Sequence, residues 1–249
     1  MSAPRFAING AKGRMGQAIA RVLEDAGHTI SARFDKGDTF DLSGSDIVID
    51  FSTPEATLHL AEACAAEAVR RGLPIVQVIG ATGFTLEQEA LLQPFAETVV
   101  LLKSGNYSLG VNMMIGLLKQ ASARLSADDW DIEVTEAHHR RKVDAPSGTA
   151  LMLGAAAAEG RGVDLADVKV AARDGITGAR RAGDIGFSVI RGGGIVGEHS
   201  VLFASEDELI TFSHSARDRT LFARGAIQAG LWGRNQTPGL YDMQDVLGF

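Results

Sequence analysis

The segment RFAINGAKGRMG, residues 5–16, decides the fold of the first half of the chain. Its opening apolar run, Arg5–Asn9, predicts a strand, and the pattern that follows predicts a helix over Gly13–Ala26. Glycines between a first strand and a first helix allow a tight turn and let the backbone approach a pyrophosphate at the helix N-terminus. The spacing is G-x-x-G-x-x-G instead of the common G-x-G-x-x-G, and such patterns also occur in ordinary turns. The position between strand and helix favours a dinucleotide-binding loop.

Charged residues near this loop extend the predicted cofactor site. Asp35 ends the second predicted strand, about 20 residues after the loop, where a carboxylate accepts hydrogen bonds from the adenosine ribose. Asp35 also suits a plain turn at a strand end, and the nearby cations are equally typical of a solvated surface. On the dinucleotide hypothesis, the residues that contact the cofactor here are Gly10, Lys12, Gly13, Arg14, Met15, Gly16, Asp35 and Lys36.

Short apolar runs and helical stretches alternate through the rest of the first half. Pro54 suits the first turn of a helix, where its missing N–H costs nothing. The βαβαβ alternation predicts a Rossmann-like α/β domain with a doubly wound parallel sheet. The predicted elements are strands at His28–Phe34, Asp46–Phe51, Pro74–Ile79 and Thr98–Leu102, a helix at Pro54–Arg71 and a helical stretch from Leu86.

The second half has a different pattern. Apolar and other side chains alternate with a period of two, which favours a smaller α+β domain with a mostly antiparallel sheet. We expect domains at 1–108 (dinucleotide binding), 109–218 (substrate binding and oligomerisation) and 219–249 (a tail that packs on the first domain). The predicted elements are strands at Asp131–Glu136, Ile185–Ile190, Glu198–Phe203 and Glu208–Ser213, and helices at Ser147–Glu159 and Thr220–Leu231.

Both faces of that second sheet carry apolar side chains, such as Phe187 and Ile190, or Leu202 and Phe203. A single layer of helices covers only one face of a sheet. The pattern therefore predicts an oligomer.

The composition limits the class of protein. Hydrophobic residues make up 45% of the 249 residues, which is typical of a globular chain. The formal charge of −7, with no long basic run, argues against binding to nucleic acid. The one cysteine, Cys64, cannot form an intramolecular disulfide, and we expect it to be a small packed side chain in a reducing compartment. With neither a signal-peptide core nor an apolar run near 18 residues, we expect a soluble cytoplasmic protein without a membrane partner.

The segment EAHHRRKVDAPSGTA, residues 136–150, places two histidines and three cations before a predicted helix start. Ser147 is a good N-cap, so the backbone N–H groups of Gly148 and Thr149, with Lys142 nearby, predict a pocket for a carboxylate or phosphate. Either His138 or His139 can supply a proton near neutral pH, but neighbours on a strand point to opposite faces. The alternatives are a basic surface loop and a zinc site, which lacks a third ligand at characteristic spacing.

Residues 136–150 resemble, nearly residue for residue, the signature of the dihydrodipicolinate reductase family of lysine and diaminopimelate biosynthesis. The similarity extends over most of the chain. Segments similar to the family are GAKGRMG from Gly10, DFSTPEA from Asp50, GATGF from Gly80, SGNYSLGVN from Ser104, IGFSVIRGGGIVGEHS from Ile185 and GLYDMQDVL from Gly239.

The resemblance implies an NADH- or NADPH-dependent homotetrameric enzyme. It would reduce dihydrodipicolinate, formed from 4-hydroxy-tetrahydrodipicolinate, to tetrahydrodipicolinate, with His138 as general acid. Lys142, with His139 and the helix start at Ser147, Gly148 and Thr149, would bind or polarise the dicarboxylate. Further implied cofactor contacts are Gly80, Thr82, Ser104, Gly105 and Asn106 at the nicotinamide end, and Arg219 and Phe222 in the tail.

The chain departs from the family pattern in two places. The segment between Asp35 and Asp46 is shorter than in many members, so we expect a more open adenosine end. Ala81 stands where many members have threonine, which removes a hydroxyl near the cofactor. Two other classes also fit the glycine loop, namely a different two-domain reductase such as an amino-acid dehydrogenase, and a non-catalytic dinucleotide sensor.

Overall fold

The computed structural model describes residues 3–171 and 173–249. Met1 and Ser2, which belong to the N-terminus where we found no signal-peptide core, therefore lie outside the described residues. The chain divides into two units. The first comprises Met1–Leu109 and Arg219–Phe249, and the second comprises Gly110–Asp218. These boundaries lie at or next to the predicted ones, while the binding and oligomerisation roles assigned to the segments stay predictions.

Strands and helices are numbered along the chain. The described residues form β1 (Arg5–Asn9), α1 (Arg14–Asp25), β2 (Thr29–Phe34), β3 (Ile47–Asp50), α2 (Pro54–Arg71), β4 (Val76–Ile79), α3 (Leu86–Ala90), a 3-10 helix (Gln93–Glu97), β5 (Val100–Lys103), α4 (Leu109–Ser122), β6 (Asp131–His138), α5 (Gly148–Gly160), α6 (Leu165–Val168), β7 (Lys169–Val170), β8 (Ile185–Arg191), β9 (Glu198–Ala204), β10 (Leu209–Ser215), α7 (Thr220–Gly233), β11 (Gly239–Tyr241) and α8 (Met243–Leu247).

The first unit contains a six-stranded sheet in the order β11-β5-β4-β3-β1-β2, with every pair parallel. Helices α1 and α7 pack on one face, where Ile19 and Ala226 join the core of Ile8 and Ile49. Helix α2 packs on the other face through Leu60. The prediction of a Rossmann-like doubly wound sheet is therefore confirmed. The sheet's switch point lies between β1 and β3, and in such sheets ligands bind beyond the carboxyl ends of the strands at that point.

The second unit contains a five-stranded sheet in the order β10-β9-β6-β8-β7. The β10–β9 and β9–β6 pairs are antiparallel, whereas the β6–β8 and β8–β7 pairs are parallel. The prediction of a mostly antiparallel sheet is therefore corrected to a mixed sheet. The chain between β6 and β8 passes through α5, and such a crossover returns the next strand in the same direction. A period-two pattern reports the faces of a strand but not the direction of its neighbours.

One face of the second sheet forms the core of this unit. Val134, Phe187 and Phe203 pack with Leu153 of α5 and with Leu118 of α4. On β8, Ile190 remains 52% exposed, so an apolar side chain lies outside that core.

Helix α4, which the sequence analysis did not predict, supplies part of the second core. Its buried residues Val111, Met114 and Leu118 recur at helical spacing, which is the signal that would have revealed it.

The structure also describes the surroundings of the cysteine and the length of the apolar helices. Cys64 is fully buried in α2, and burial raises the pKa of its thiol, so it is the packed side chain that was expected. Within residues 3–171 and 173–249, no helix is both long enough and apolar enough to cross a membrane.

Candidate active site

The glycine loop after β1 is tightly folded against the next strand connection. Gly10 has a φ of 75°, in the left-handed region, and a Cβ there would lie 2.9 Å from the carbonyl oxygen of Phe51. A Cβ on Gly16 would lie 2.3 Å from the carbonyl oxygen of Gly10. Only glycine fits both positions, so the backbone of the loop can approach a ligand closely.

The start of α1 suits an anion. Gly13 is its N-cap, and among the described residues no side chain caps this helix start and no acidic residue lies in its first turn. The positive end of the helix dipole therefore has no acidic residue of its own first turn, which is fully described, to neutralise it, and this suits a pyrophosphate.

Asp35 lies beside this loop, as the sequence predicted. Its two carboxylate oxygens accept the backbone N–H of Lys12, each at 3.2 Å, and the Lys12 ammonium lies 4.0 Å away. The N–H of Asp35 in turn donates to the Asp38 carboxylate at 2.8 Å. The acid predicted to bind ribose is thus held against the glycine loop by the backbone N–H of Lys12, while its own N–H is bonded to Asp38.

A cavity of about 480 Å³ opens at this point of the first unit. Among the predicted cofactor residues, Gly10, Asp35 and Lys36 line it. The short segment after Asp35 forms part of its wall. The lining residues that the sequence analysis missed are Asn9, Gly37, Asp38, Phe40, Ser52, Thr53, Glu55, Ala56 and His59. Asn9 and Ser52 lie at the ends of β1 and β3, a position that the parallel-sheet prediction already marked.

A buried carboxylate, Asp50, holds two of these lining residues. It accepts hydrogen bonds from the Asn9 amide at 3.0 Å and the Ser52 hydroxyl at 2.5 Å, and from Thr57 of α2 at 2.6 Å. Burial raises the pKa of Asp50, because it outweighs these hydrogen bonds from neutral donors.

The residues expected at the nicotinamide end lie beyond β4 and β5, which are neighbours in the sheet. The N–H of Gly80 donates to the carbonyl of Asp50 at 2.8 Å, and the N–H of Ser104 donates to Ile79 at 3.3 Å. Buried Tyr107, not predicted, directs its hydroxyl to the carbonyls of Ile79 and Leu102 at 2.8 and 2.7 Å. It therefore ties the ends of these two strands together.

The other residues implied at this end are spread more widely. Asn106 is buried, and its N–H donates to the Ser104 hydroxyl at 3.2 Å. Thr82 and Gly105 are exposed, whereas Phe222 is half-buried in the first turn of α7, which Arg219 precedes as an exposed N-cap. Neither Arg219 nor Phe222 lines the 480 Å³ cavity.

In the second unit, Glu136 connects the predicted proton donor to the predicted anion site. Its carboxylate accepts the His138 Nδ1–H at 2.6 Å and the backbone N–H of Ser147 at 2.9 Å. It also accepts both Nη groups of Arg191, at 2.7 and 2.8 Å. Burial alone favours the neutral acid, but the hydrogen bonds from Arg191 and His138 outweigh it and lower the pKa of Glu136 to about 2. Glu136 is therefore an anion at neutral pH.

A second histidine, His199, packs against the first. The two rings lie 5.1 Å apart, edge to face, and the His199 Nε2 lies 3.2 Å from the Ser147 hydroxyl. Burial, followed by the charge of nearby His138, lowers the pKa of His199 to about 4. His199 is therefore neutral at neutral pH. His139 lies just beyond the end of β6 and is only half-buried, whereas His138 is buried.

The helix start of α5 has the predicted form. The Ser147 hydroxyl accepts the N–H of Ala150 at 3.1 Å, and no acidic residue lies in the first turn of this helix, all of which is described. Gly148 is exposed, and a Cβ there would meet no atom within 4 Å. Thr149 follows it, half-buried.

Lys142 lies in the loop between β6 and α5, with its ammonium 2.9 Å from the Asp144 carboxylate. That contact lowers the pKa of Asp144. The predicted carboxylate-binding lysine is thus already paired with a carboxylate.

Three residues of this site were not predicted, namely Glu136 as a partner, Arg191 and His199. Glu136 could have been found, because it lies two residues before His138 and therefore on the same strand face. Arg191 and His199 come from β8 and β9, and the local sequence around His138 contains no sign of them. Among the described residues, no group of three or more His, Cys, Asp or Glu side chains is arranged to hold a metal ion.

The first unit has a parallel sheet with a glycine loop and a helix start that suit an anion. The second unit has, among its described residues, a buried histidine beside another helix start without acidic residues in its first turn. Together these features define the class of nicotinamide-dinucleotide oxidoreductases. The family description "Dihydrodipicolinate reductase, N-terminus" matches residues 4–107, and "Dihydrodipicolinate reductase, C-terminus" matches residues 110–247. The chain belongs to the dihydrodipicolinate reductase family.

Individual relatives agree with this assignment. The 4-hydroxy-tetrahydrodipicolinate reductase of Caulobacter vibrioides is 58% identical over 260 aligned residues, covering 100% of this chain and 99% of the relative. That of Ruegeria pomeroyi is 51% identical and covers 98% of each chain. A dipicolinate-bound dihydrodipicolinate reductase from Paenisporosarcina sp. TG-14 is 23% identical and shares the fold, with a TM-score of 0.75 over 98% of this chain and 99% of that one.

Proposed function

We propose that this chain reduces dihydrodipicolinate, formed from 4-hydroxy-tetrahydrodipicolinate, to tetrahydrodipicolinate in lysine and diaminopimelate biosynthesis, with NADH or NADPH as reductant. The observation that carries the proposal is the placement of His138. It lies buried, bonded to an ionised carboxylate that also holds the start of α5. A proton donor and an anion-binding helix start are the two groups that reduction of an unsaturated dicarboxylate requires.

The first unit would hold the cofactor. When bound, the nicotinamide supplies a hydride to an unsaturated carbon of the substrate ring. The glycine loop and the start of α1 would hold the pyrophosphate, and Asp35 would accept hydrogen bonds from the adenosine ribose. The full proposed set is Gly10, Lys12, Gly13, Arg14, Met15, Gly16, Asp35, Lys36, Gly80, Thr82, Ser104, Gly105, Asn106, Arg219 and Phe222.

The second unit would hold the substrate carboxylates. Lys142 and the helix start at Ser147, Gly148 and Thr149 supply positive charge and backbone N–H groups. His139 follows directly after β6, whose last residue is His138. Because Lys142 is paired with Asp144, substrate binding exchanges one carboxylate for another at this ammonium. Exchanging Asp144 for one substrate carboxylate gains little binding energy by itself. The helix start then binds the other carboxylate of the substrate, so a compound with two acid groups binds better than a compound with one.

His138 would supply the proton. Hydride addition leaves negative charge on the substrate ring, and a proton from His138 neutralises it. Glu136 stays charged and would hold the Nδ1–H of the His138 imidazole in place during the transfer. His199 is neutral at neutral pH, so it adds no second positive charge beside His138.

We propose that both NADH and NADPH serve, with only a modest preference. Asp35, Asp38 and Glu55 line the cavity and would repel the additional phosphate of NADPH. Lys36 lines the same cavity, and Lys12 lies 4.0 Å from Asp35, so cations offset part of that repulsion.

We also propose a homotetramer in the cytoplasm. The supporting observation for the assembly is the second sheet, where Ile190 on β8 and Leu209 on β10 are 52% and 67% exposed. Apolar side chains at such positions favour burial against another copy. Light scattering at micromolar concentration is expected to give the mass of four chains, and a monomer would contradict the assembly.

The function is tested by following NAD(P)H oxidation with freshly generated 4-hydroxy-tetrahydrodipicolinate. We expect oxidation only when this compound is present, with tetrahydrodipicolinate as product. Turnover with an oxo acid and ammonia instead would indicate an amino-acid dehydrogenase. Cofactor binding without turnover of any of these compounds would indicate a dinucleotide sensor.

A further inference from the structure

We propose that Glu136 and Arg191 form a positioning pair that makes Nε2 the proton-transferring atom of His138 and fixes this atom relative to the anion-binding start of α5. The inference rests on the proposed function, in which His138 is the proton donor. Neither residue of the pair needs to touch the substrate.

The contacts of Glu136 show that it is fully engaged by protein. One oxygen, Oε2, accepts from His138 Nδ1 and Arg191 Nη1, and the other, Oε1, accepts from the Ser147 N–H and Arg191 Nη2. The side chain is 1% exposed. A carboxylate has about four lone-pair sites, and four donors occupy them here. Glu136 therefore has no free site for substrate and acts through the groups that it holds.

The bond to Glu136 determines which nitrogen of His138 exchanges a proton. An ionised carboxylate accepts a hydrogen bond and cannot donate one, so His138 Nδ1 carries a hydrogen in both states of the ring. The proton that is gained and lost is then the one on Nε2. When Nε2 gives up its proton, the neutral ring is left with Nδ1–H still bonded to Glu136.

The surroundings of Nε2 agree with that assignment. Gly197 lies beside it, and a Cβ at this position would lie 3.2 Å from Nε2. Because Gly197 has no side chain, none projects from this position onto Nε2. His199 packs edge to face against the ring at 5.1 Å and restricts its rotation.

The same pair also fixes the anion site. Glu136 accepts the N–H of Ser147, the N-cap of α5, and Arg191 Nη2 donates to the carbonyl of Asp144 at 2.6 Å. Arg191 thereby holds the loop on which Lys142 lies. A shift of the pair would move the proton donor, the helix start and the lysine loop together, and small misplacements of reacting groups are costly.

Arginine is the residue type that this arrangement requires. A buried carboxylate that stays ionised is stabilised by a charged partner, and the planar guanidinium binds both oxygens at once. Lysine has a single ammonium group, so R191K is expected to keep the charge but lose the two-point geometry.

The test uses E136Q and R191K, with E133Q as matched control. A glutamine at position 136 brings two N–H donors into a site that already holds four. Glu133 lies on the same strand and is also held by two arginines, Arg173 and Arg180, but it has no histidine partner. We expect E136Q to lower kcat by about 100-fold and R191K by about 10-fold, with the NADH dissociation constant unchanged. The control is expected to stay within about twofold in kcat.

A second readout does not depend on turnover. In protein labelled with ¹⁵N-histidine, the His138 signals are assigned among six histidines by their loss in H138Q. At a pH where the ring is neutral, we expect wild type to contain the Nδ1–H form and E136Q to contain a mixture with the Nε2–H form. R191K, which retains Glu136, provides the same measurement if E136Q does not fold, with a smaller expected change.

The two readouts separate the inference from the proposed function. If wild type does not turn over the substrate, the proposed function fails, while the histidine spectra still decide the role of the pair. The inference is overturned by a wild-type neutral ring with its hydrogen on Nε2. It is also overturned by spectra and kcat values in E136Q and R191K that match those of E133Q.

Discussion

Asp50 in the first unit and Glu136 in the second are both buried carboxylates that hold site residues, yet their pKa values shift in opposite directions. Burial raises the pKa of Asp50, whose hydrogen-bond partners are neutral. Burial also acts on Glu136, but Arg191 and His138 outweigh it and lower its pKa to about 2. Both side chains are almost inaccessible to solvent, but Glu136 has a guanidinium partner and Asp50 has only neutral donors, which contributes to the opposite directions of their pKa shifts.

Asp50 and Glu136 also lie beside different proposed ligands and groups. Asp50 fixes Asn9 and Ser52 on the wall of the cavity next to the glycine loop. Its side-chain donors, Asn9, Ser52 and Thr57, are all neutral, so Asp50 fixes this wall without an ion pair. Glu136 is bonded to Nδ1 of His138, the proposed proton donor, and its negative charge would hold the hydrogen on that nitrogen.

The largest expected effect comes from replacing His138, the imidazole to which Glu136 is bonded. H138Q should lower kcat by about 100- to 10,000-fold, or about 3–5 kcal/mol, because general acid catalysis is lost. The NADH dissociation constant should stay nearly unchanged, since His138 lies in the second unit. Steady-state kinetics and cofactor titration on purified protein measure both. Near-normal turnover in H138Q would show that another group supplies the proton.

The opposite pKa shifts of Glu136 and Asp50 are tested by the pH dependence of unfolding in E136Q and D50N. The pKa of Glu136 is lowered from 4.5 to about 2, so its contribution, about 3 kcal/mol, is present above pH 4.5 and is lost as pH falls toward 2. The raised pKa of Asp50 has the opposite sign, with stability present below pH 3.8 and lost as pH rises through the raised value.

The measurement is denaturant unfolding of both variants and wild type across this pH range, at one protein concentration. The advantage of wild type over E136Q should shrink in acid, whereas its advantage over D50N should grow in acid. Parallel trends for the two variants would show that the partners do not set the pKa values as described.

A smaller effect is expected at Lys142. K142A should raise the substrate KM and also lower kcat, because the ammonium both binds and orients a carboxylate. Loss of a hydrogen bond to a charged group is worth about 2 kcal/mol, or about 30-fold in kcat/KM. K119A, which removes a lysine paired with Glu159 in the same unit, is the control and should leave both constants unchanged. If only NADH binding weakened in K142A, Lys142 would belong to the cofactor site.

The smallest effect concerns the choice of cofactor. The Lys12 side chain is 87% exposed, and exposed ion pairs are worth about 1 kcal/mol or less. We therefore expect kcat/KM for NADH and NADPH to differ by less than about tenfold, or about 1.4 kcal/mol. Added salt should reduce the value for NADPH more, because its extra phosphate depends on screened charge. A preference above about a hundredfold would mean that one buried contact dominates.

The sequence predicted most of the first unit because buried parallel strands appear as continuous apolar runs. β1 and α2 have the predicted bounds. β11, at Gly239–Tyr241, was missed because three residues in a tail give no periodicity. The parallel β6–β8 and β8–β7 pairs of the second sheet were not predicted, because alternation does not encode the direction of the partner strand.

The site was predictable where its residues are consecutive. Residues 136–150 gave His138, Lys142 and the helix start together. The partners that position them depend on strand register, since His138 pairs with Arg191 of β8 and Glu136 pairs with His199 of β9. Such register is a property of the folded sheet, and a single segment does not contain it.

The chain is proposed to transfer a hydride from the nicotinamide to the substrate ring, with a proton from His138. The direct measurement is mass spectrometry of the product formed from 4-hydroxy-tetrahydrodipicolinate and NADH deuterated at the transferred position of carbon four. We predict tetrahydrodipicolinate with one deuterium for wild type and its near absence for H138Q over the same time. Oxidation of the cofactor without deuterium in the product, or equal labelling by H138Q, would contradict the account.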